Sequence, residues 1–148
     1  MSYANYMTPL SLPALSSELR GVTMHLSRRL RNERADIDLS DSQFSVLAYL
    51  VRTGAHTPNE LSVWEHVTPP SMNRTINALE TAGLVARTPD ASDGRKVFVT
   101  ATENGFAVVK ETRRKRDAWL HSRLSALTAE ERRTLEEATV ILRTMVAP

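Results

Sequence analysis

Between Thr68 and Gly83 the chain reads TPPSMNRTINALETAG, a stretch rich in groups that can read or grip a polyanion. At 100° per helical residue, Pro70, Arg74, Asn77 and Thr81 share one side, flanked by Asn73 and Ala78, while Met72, Ile76 and Leu79 fall opposite. The polar side holds amides, hydroxyls and a guanidinium, and no carboxylate precedes Glu80. An arginine fork can bridge guanine O6 and N7, and an asparagine amide can pair with adenine N6 and N7. Ser71, Asn73, Arg74 and Asn77 are therefore candidates for base-edge contact. Thr68 and Ser71, at the start of the helix, are placed to hold a phosphate against free backbone amides. The competing reading is a polar face that is merely solvated, although such faces usually mix acids with bases. A second set follows in the segment PDASDGRK, where Arg95 and Lys96 sit beside Asp90 and Asp93, with Arg87 just upstream. Lys96 and Arg87 suit phosphates, Asp93 can orient Arg95 through a charge-assisted bond, and the alternative is an ordinary charged turn.

Other chemistries lack their residues. His25, His56, His66 and His121 show no metal-ligand spacing, and no carboxylate pair accompanies them at i, i+3 or i+4 on one face. The absence of cysteine removes disulfide scaffolds, thiolate zinc sites and thiol switches. No glycine-rich phosphate loop and no nucleophile–base pair is present, so the sequence predicts neither an enzyme nor a cofactor.

The 148 residues carry a formal charge of +2, with 41% apolar, 24% charged and 5% aromatic residues. So few aromatics argue against single-strand or RNA stacking platforms. The charge is unevenly spread: residues 68–116 hold nine Lys/Arg against five Asp/Glu, while the segments on either side are each −1. Positive charge thus gathers where a phosphate-facing surface requires it. No apolar run approaches membrane-spanning length and no secretion signal opens the chain, which predicts a soluble cytoplasmic protein.

The elements that must position these groups can be read in order. Residues 1–9 are expected to form a loose arm. Leu12, Leu15, Leu19, Val22, Leu26 and Leu30 step by three or four and predict a helix from Leu10 to about Arg34. Ser40 with Gln43, Thr57 with Glu60, and Thr128 with Glu131 are capping boxes that start further helices. Phe44, Leu47, Leu50 and Val51 mark the inner stripe of the helix ending near Gly54; Leu61, Trp64 and Val67 mark that of the short one after Pro58. Gly83 ends the 68–83 helix, strands are expected over 84–88 and 97–100, and Thr102 caps a long helix to about Leu127. Helix, turn, helix, strand, charged loop, strand is the layout of a winged helix. The fold class expected is mainly α with a small β-hairpin wing.

This layout and its motifs resemble the multiple-antibiotic-resistance regulator (MarR) family. The residues that carry the resemblance are Leu79 and Glu80 followed by Gly83 and Leu84, then Asp90, Asp93 and Arg95 in the pattern D-x-x-D-x-R, then Thr102 with Gly105. Glycine is usual in the family where His66 stands, a branched aliphatic where Glu65 stands, and arginine often where Ala78 stands. The resemblance implies a homodimer whose terminal helices, residues 10–35 and 103–147, intertwine, with residues 36–102 forming the DNA-binding region. Arg95 is expected in the minor groove. It also implies a small phenolic or anionic effector between the helical base and the winged lobe, for which His25, Arg29, Phe44, Leu47 and Trp64 are the candidate lining. The function expected is a sequence-specific double-stranded DNA-binding transcriptional regulator, a repressor acting on a pseudo-palindromic operator. The alternative kept open is a winged-helix protein–protein interaction module. The run Arg113, Arg114, Lys115, Arg116 lies mid-helix, where four successive residues must point all round. It is read as a mostly solvated face with carboxylates of the terminal helices as partners, and contact with nucleic acid is the alternative kept open.

Overall fold

The computed structural model describes residues 9–147, so the expected N-terminal arm lies outside the described residues but for its last position. Two units are distinct, residues up to Glu33 and residues from Arg34 onward. Among the described residues the first is essentially one helix, α1 (Leu12–Asn32). Ser11 caps it through its hydroxyl, Pro13 occupies the first turn where no N–H partner is lost, and Arg29 pairs with Glu33 one turn away at 2.8 Å. None of its residues is buried, and Leu12, Val22 and Met24 stand well exposed.

The second unit holds α2 (Asp41–Thr53), α3 (Pro58–Glu65), α4 (Pro69–Thr81), β1 (Val85–Pro89), β2 (Val97–Ala101), α5 (Glu103–Ser125) and α6 (Ala129–Val146). Ser40, Thr57 and Thr128 each accept the backbone N–H three residues on, and Gln43, Glu60 and Glu131 return the bond, so all three capping boxes form. The strands pair antiparallel with Val85 opposite Ala101 and Pro89 opposite Val97. A short extension doubles the hairpin's inner edge: His56 donates its N–H to Val99 O (3.1 Å) and accepts from Val99 N–H (2.8 Å). The core lies between α2, α3, α4, the hairpin and the first half of α5, built on Val46, Leu47, Leu50, Leu61, Met72, Ile76, Leu79, Leu84, Val99 and Val109. In α6 no residue is buried, although Leu135, Val140, Ile141, Leu142 and Met145 are large and apolar. No helix among the described residues is long and apolar enough to cross a membrane.

The turn between α3 and α4 is made by His66 in the left-handed conformation (φ 57°, ψ 42°). A branched β-carbon would be worse there, but histidine still carries a penalty of about 1–2 kcal/mol that glycine avoids. Glycine in turn costs roughly 0.5–1 kcal/mol in chain entropy. His66→Gly is therefore expected to raise stability by up to about 1 kcal/mol, read as a higher urea midpoint at unchanged slope. A lower midpoint would show that the imidazole makes a contact worth more than the strain. Against the adjoining helix, Trp64 stacks on Tyr49 of α2 (centroids 3.9 Å apart, 15° between planes), and Glu65 accepts a hydrogen bond from Ser45 (3.2 Å). These contacts supply the packing that a branched aliphatic at Glu65 would otherwise give.

Candidate nucleic-acid interface

α4 begins where Thr68 accepts the Ser71 N–H and two prolines fill positions whose N–H groups would have no partner. Met72, Ile76 and Leu79 are fully buried. That anchoring fixes the opposite face, on which Asn73, Arg74 and Asn77 are exposed, with Thr68 exposed and Ser71 half-buried at its N-terminal end. Ala78 is half-buried, so it marks the edge of the outer face and not its centre. The candidate groups of the helix thus stand together on one acid-free ridge. Gly83 (φ +74°) then turns the chain into β1.

The hairpin tip, residues 90–96, is closed by main-chain bonds from Asp90 N–H to Lys96 O and from Lys96 N–H to Asp93 O, both 2.9 Å. Asp90 accepts from the Ser92 N–H and hydroxyl, each at 3.0 Å. Arg95 and Lys96 are exposed on this tip. The expected role of Asp93 needs correction: its carboxylate accepts the Arg95 backbone N–H (3.1 Å), so it shapes the turn that carries Arg95 and does not clamp the guanidinium. Arg87 also differs from expectation. Its guanidinium donates to Asn77 Oδ1 at 2.8 Å, joining the wing to α4. Alternation along β1 puts Arg87 on the same side as buried Val85, the side that packs on α4, and this period-two signal could have revealed the contact in the sequence.

Acid should loosen this tip. The Ser92 backbone N–H, aided by its hydroxyl, holds the Asp90 carboxyl below its ordinary value of 3.8. With the folded-state value depressed, the stabilising contribution is present above the unfolded value and lost as pH falls through the folded one. The Ser92 amide resonance is therefore expected to titrate with a midpoint below 3.8; a midpoint at or above that value would contradict the bond.

The basic run on α5 is mostly engaged within the chain. Arg114 makes two bonds of 2.8 Å to Glu111, which its guanidinium holds below the usual carboxylate range. Lys115 reaches Asp36 (3.3 Å), and the Arg116 guanidinium lies 4.7 Å from the centre of the Phe44 ring. The carboxylate partners are thus Glu111 of the same terminal helix, as the sequence suggested, and Asp36 of the connector before α2, which it did not suggest.

The five candidate effector residues fall on α1 (His25, Arg29), α2 (Phe44, Leu47) and α3 (Trp64). Leu47 is fully buried in the core against Gly105 and offers no surface to a ligand, which removes it from that set. Phe44 lies under Arg116, and Trp64 under Tyr49. His25 is exposed on α1 and Arg29 is paired there with Glu33. An open groove of about 560 Å³ lies elsewhere, along α5 and the end of α2, lined by Val51, Phe106, Ala107, Val109, Lys110, Arg113, Arg114 and Asp117. It contains none of the five candidates. No group of three or more His, Cys, Asp or Glu that could hold a metal occurs among the described residues.

Comparison with known proteins agrees with this architecture. The MarR family description matches residues 37–96, which span α2, the helix-turn-helix and the wing tip. An uncharacterised HTH-type transcriptional regulator of Mycobacterium bovis is 42% identical over 132 residues, covering 89% of this chain and 92% of that one. The multiple antibiotic resistance protein MarR of Salmonella typhimurium is 32% identical over 116 residues, covering 78% and 81%. A crystal structure of a mutant MarR from E. coli superposes with a TM-score of 0.72 at 27% identity, over 97% of this chain and all of the other. Family motif, sequence relatives and fold coincide on the same helices and hairpin, and the chain belongs to the MarR family of winged-helix transcriptional regulators.

Proposed function

We propose that this chain binds double-stranded DNA as a homodimer and represses transcription from a pseudo-palindromic operator. The observation that carries the reading is the acid-free ridge of Asn73, Arg74 and Asn77, held on the same packed lobe as Arg95 and Lys96 at the wing tip. A helix presents such groups to the major groove, and a hairpin can follow the backbone into the adjoining minor groove. Phosphate contacts from Thr68, Ser71 and Lys96 supply affinity, and the base-edge contacts supply selectivity. The dimer is proposed on the exposed apolar side chains that α1 and α6 each carry. Residues 10–35 and 103–147 form the dimerisation region in this reading, and 36–102 the DNA-binding region. A small phenolic or anionic effector would act by binding one spacing of the two reading heads better than another.

A mobility-shift titration against the DNA upstream of the chain's own gene, at two salt concentrations, tests the proposal. Binding that weakens steeply with salt supports it, since each neutralised phosphate contributes about −0.9 to the log–log slope. No shift at low salt would favour a protein–protein module instead.

A further inference from the structure

Asn77 and Arg87 are both exposed, yet they are joined by a 2.8 Å hydrogen bond that spans ten residues. A guanidinium has only donors, so the asparagine atom facing it must be the carbonyl oxygen, however the amide is drawn. We infer that Arg87 is a positioning residue which fixes the polarity of Asn77, so that this side chain presents N–H groups to a base edge. The inference rests on the proposed reading of duplex DNA by α4.

Both sides of the contact are held in place. Asn77 follows Ile76, which is fully buried and locks the rotation of the helix. Arg87 pairs across the hairpin with Val99, itself buried and bonded on its other edge to His56 through two main-chain bonds. The bond carries a charge on one partner, and displacing water from a groove strengthens it further.

Free asparagine can turn its amide over and either donate or accept, so by itself it discriminates weakly. With its oxygen oriented toward Arg87, the amide favours bases offering an acceptor in the major groove, namely guanine, thymine or the N7 of adenine. Cytosine, whose major-groove edge offers only the N4 amino donor, is disfavoured. Arg87 therefore sets base preference at a position it does not touch, and this replaces the phosphate role expected from its charge.

Selection of bound duplexes from a randomised pool, followed by sequencing, reads this out. The wild-type chain is expected to select sites with one position per half-site from which cytosine is excluded. Asn77→Ala should erase the preference at that position only. Asn77→Asp, an acceptor without donors, should turn it toward cytosine. Arg87→Met should relax the exclusion roughly five- to tenfold while the other positions keep their preferences. Circular dichroism confirms that these exposed-site variants fold. If Arg87→Met instead weakens all sequences alike, lowers the salt slope by about one and leaves the base profile unchanged, Arg87 is a phosphate contact and the inference is wrong. If the wild-type chain retains no duplex at all, the DNA-binding reading falls with it.

Discussion

Replacing Gly105 by alanine is expected to destabilise the protein by about 3 kcal/mol, near the upper end of what overpacking a core costs. Judged by helix propensity alone the change should help, since alanine is better than glycine inside a helix by about 1 kcal/mol. The surroundings reverse the sign. A β-carbon at this position would lie 2.2 Å from the Leu84 carbonyl oxygen, 3.3 Å from the Leu84 carbonyl carbon and 3.0 Å from Leu47 Cδ1. Leu84 cannot swing aside, because that oxygen also accepts the Thr102 N–H at 3.0 Å while Thr102 donates its hydroxyl to Gly83 O at 2.7 Å. The start of α5 is thereby locked onto the chain reversal after α4. Urea denaturation gives the answer directly: a midpoint unchanged or raised in Gly105→Ala would mean that the two backbones do not approach this closely.

Arg95→Ala is expected to leave stability unchanged and to weaken binding to the selected operator by about 1–3 kcal/mol for each wing. The side chain is exposed and its position comes from the main-chain bonds that close residues 90–96, so nothing in the core depends on it. Its proposed partner is a narrow, A·T-rich minor groove, where negative potential is focused and a planar, weakly hydrated guanidinium is favoured over an ammonium. Arg95→Lys should consequently restore the salt dependence but only part of the affinity. Titrations at one fixed salt concentration check both variants, and an Arg95→Ala affinity equal to wild type would remove this residue from the interface.

Much of this architecture was legible from local chemistry. The capping boxes at Ser40, Thr57 and Thr128 each start a helix because the bonds that define them are between near neighbours. Met72, Ile76 and Leu79 are buried as their spacing demands, and His66 takes the left-handed turn. What escaped was set by contacts between distant parts of the chain. Leu47 looks like any inward-facing leucine of α2, and only the approach of Gly105 shows that it is sealed in the core. Arg87 reads as a phosphate ligand by charge, yet the pairing of β1 and the rotation of α4 bring it to Asn77. The aromatic stack of Trp64, Tyr49 and His56 was likewise missed. Tyr49 and His56 lie 5.0 Å apart by ring centroids, and no periodicity links them to Trp64. The basic run on α5 points round its helix and meets Glu111 there at helical spacing, but the Lys115 partner depends on where the connector carrying Asp36 passes.

Hydroxyl-radical footprinting of the chain on its own operator tests the central claim most directly. Two copies docked in neighbouring grooves predict two protected patches with centres one helical turn apart or a multiple of it, related by the dyad of the site, each flanked by minor-groove protection that disappears in Arg95→Ala. A single unsymmetrical patch, or uniform cleavage at a protein concentration that saturates a low-salt mobility shift, would contradict it.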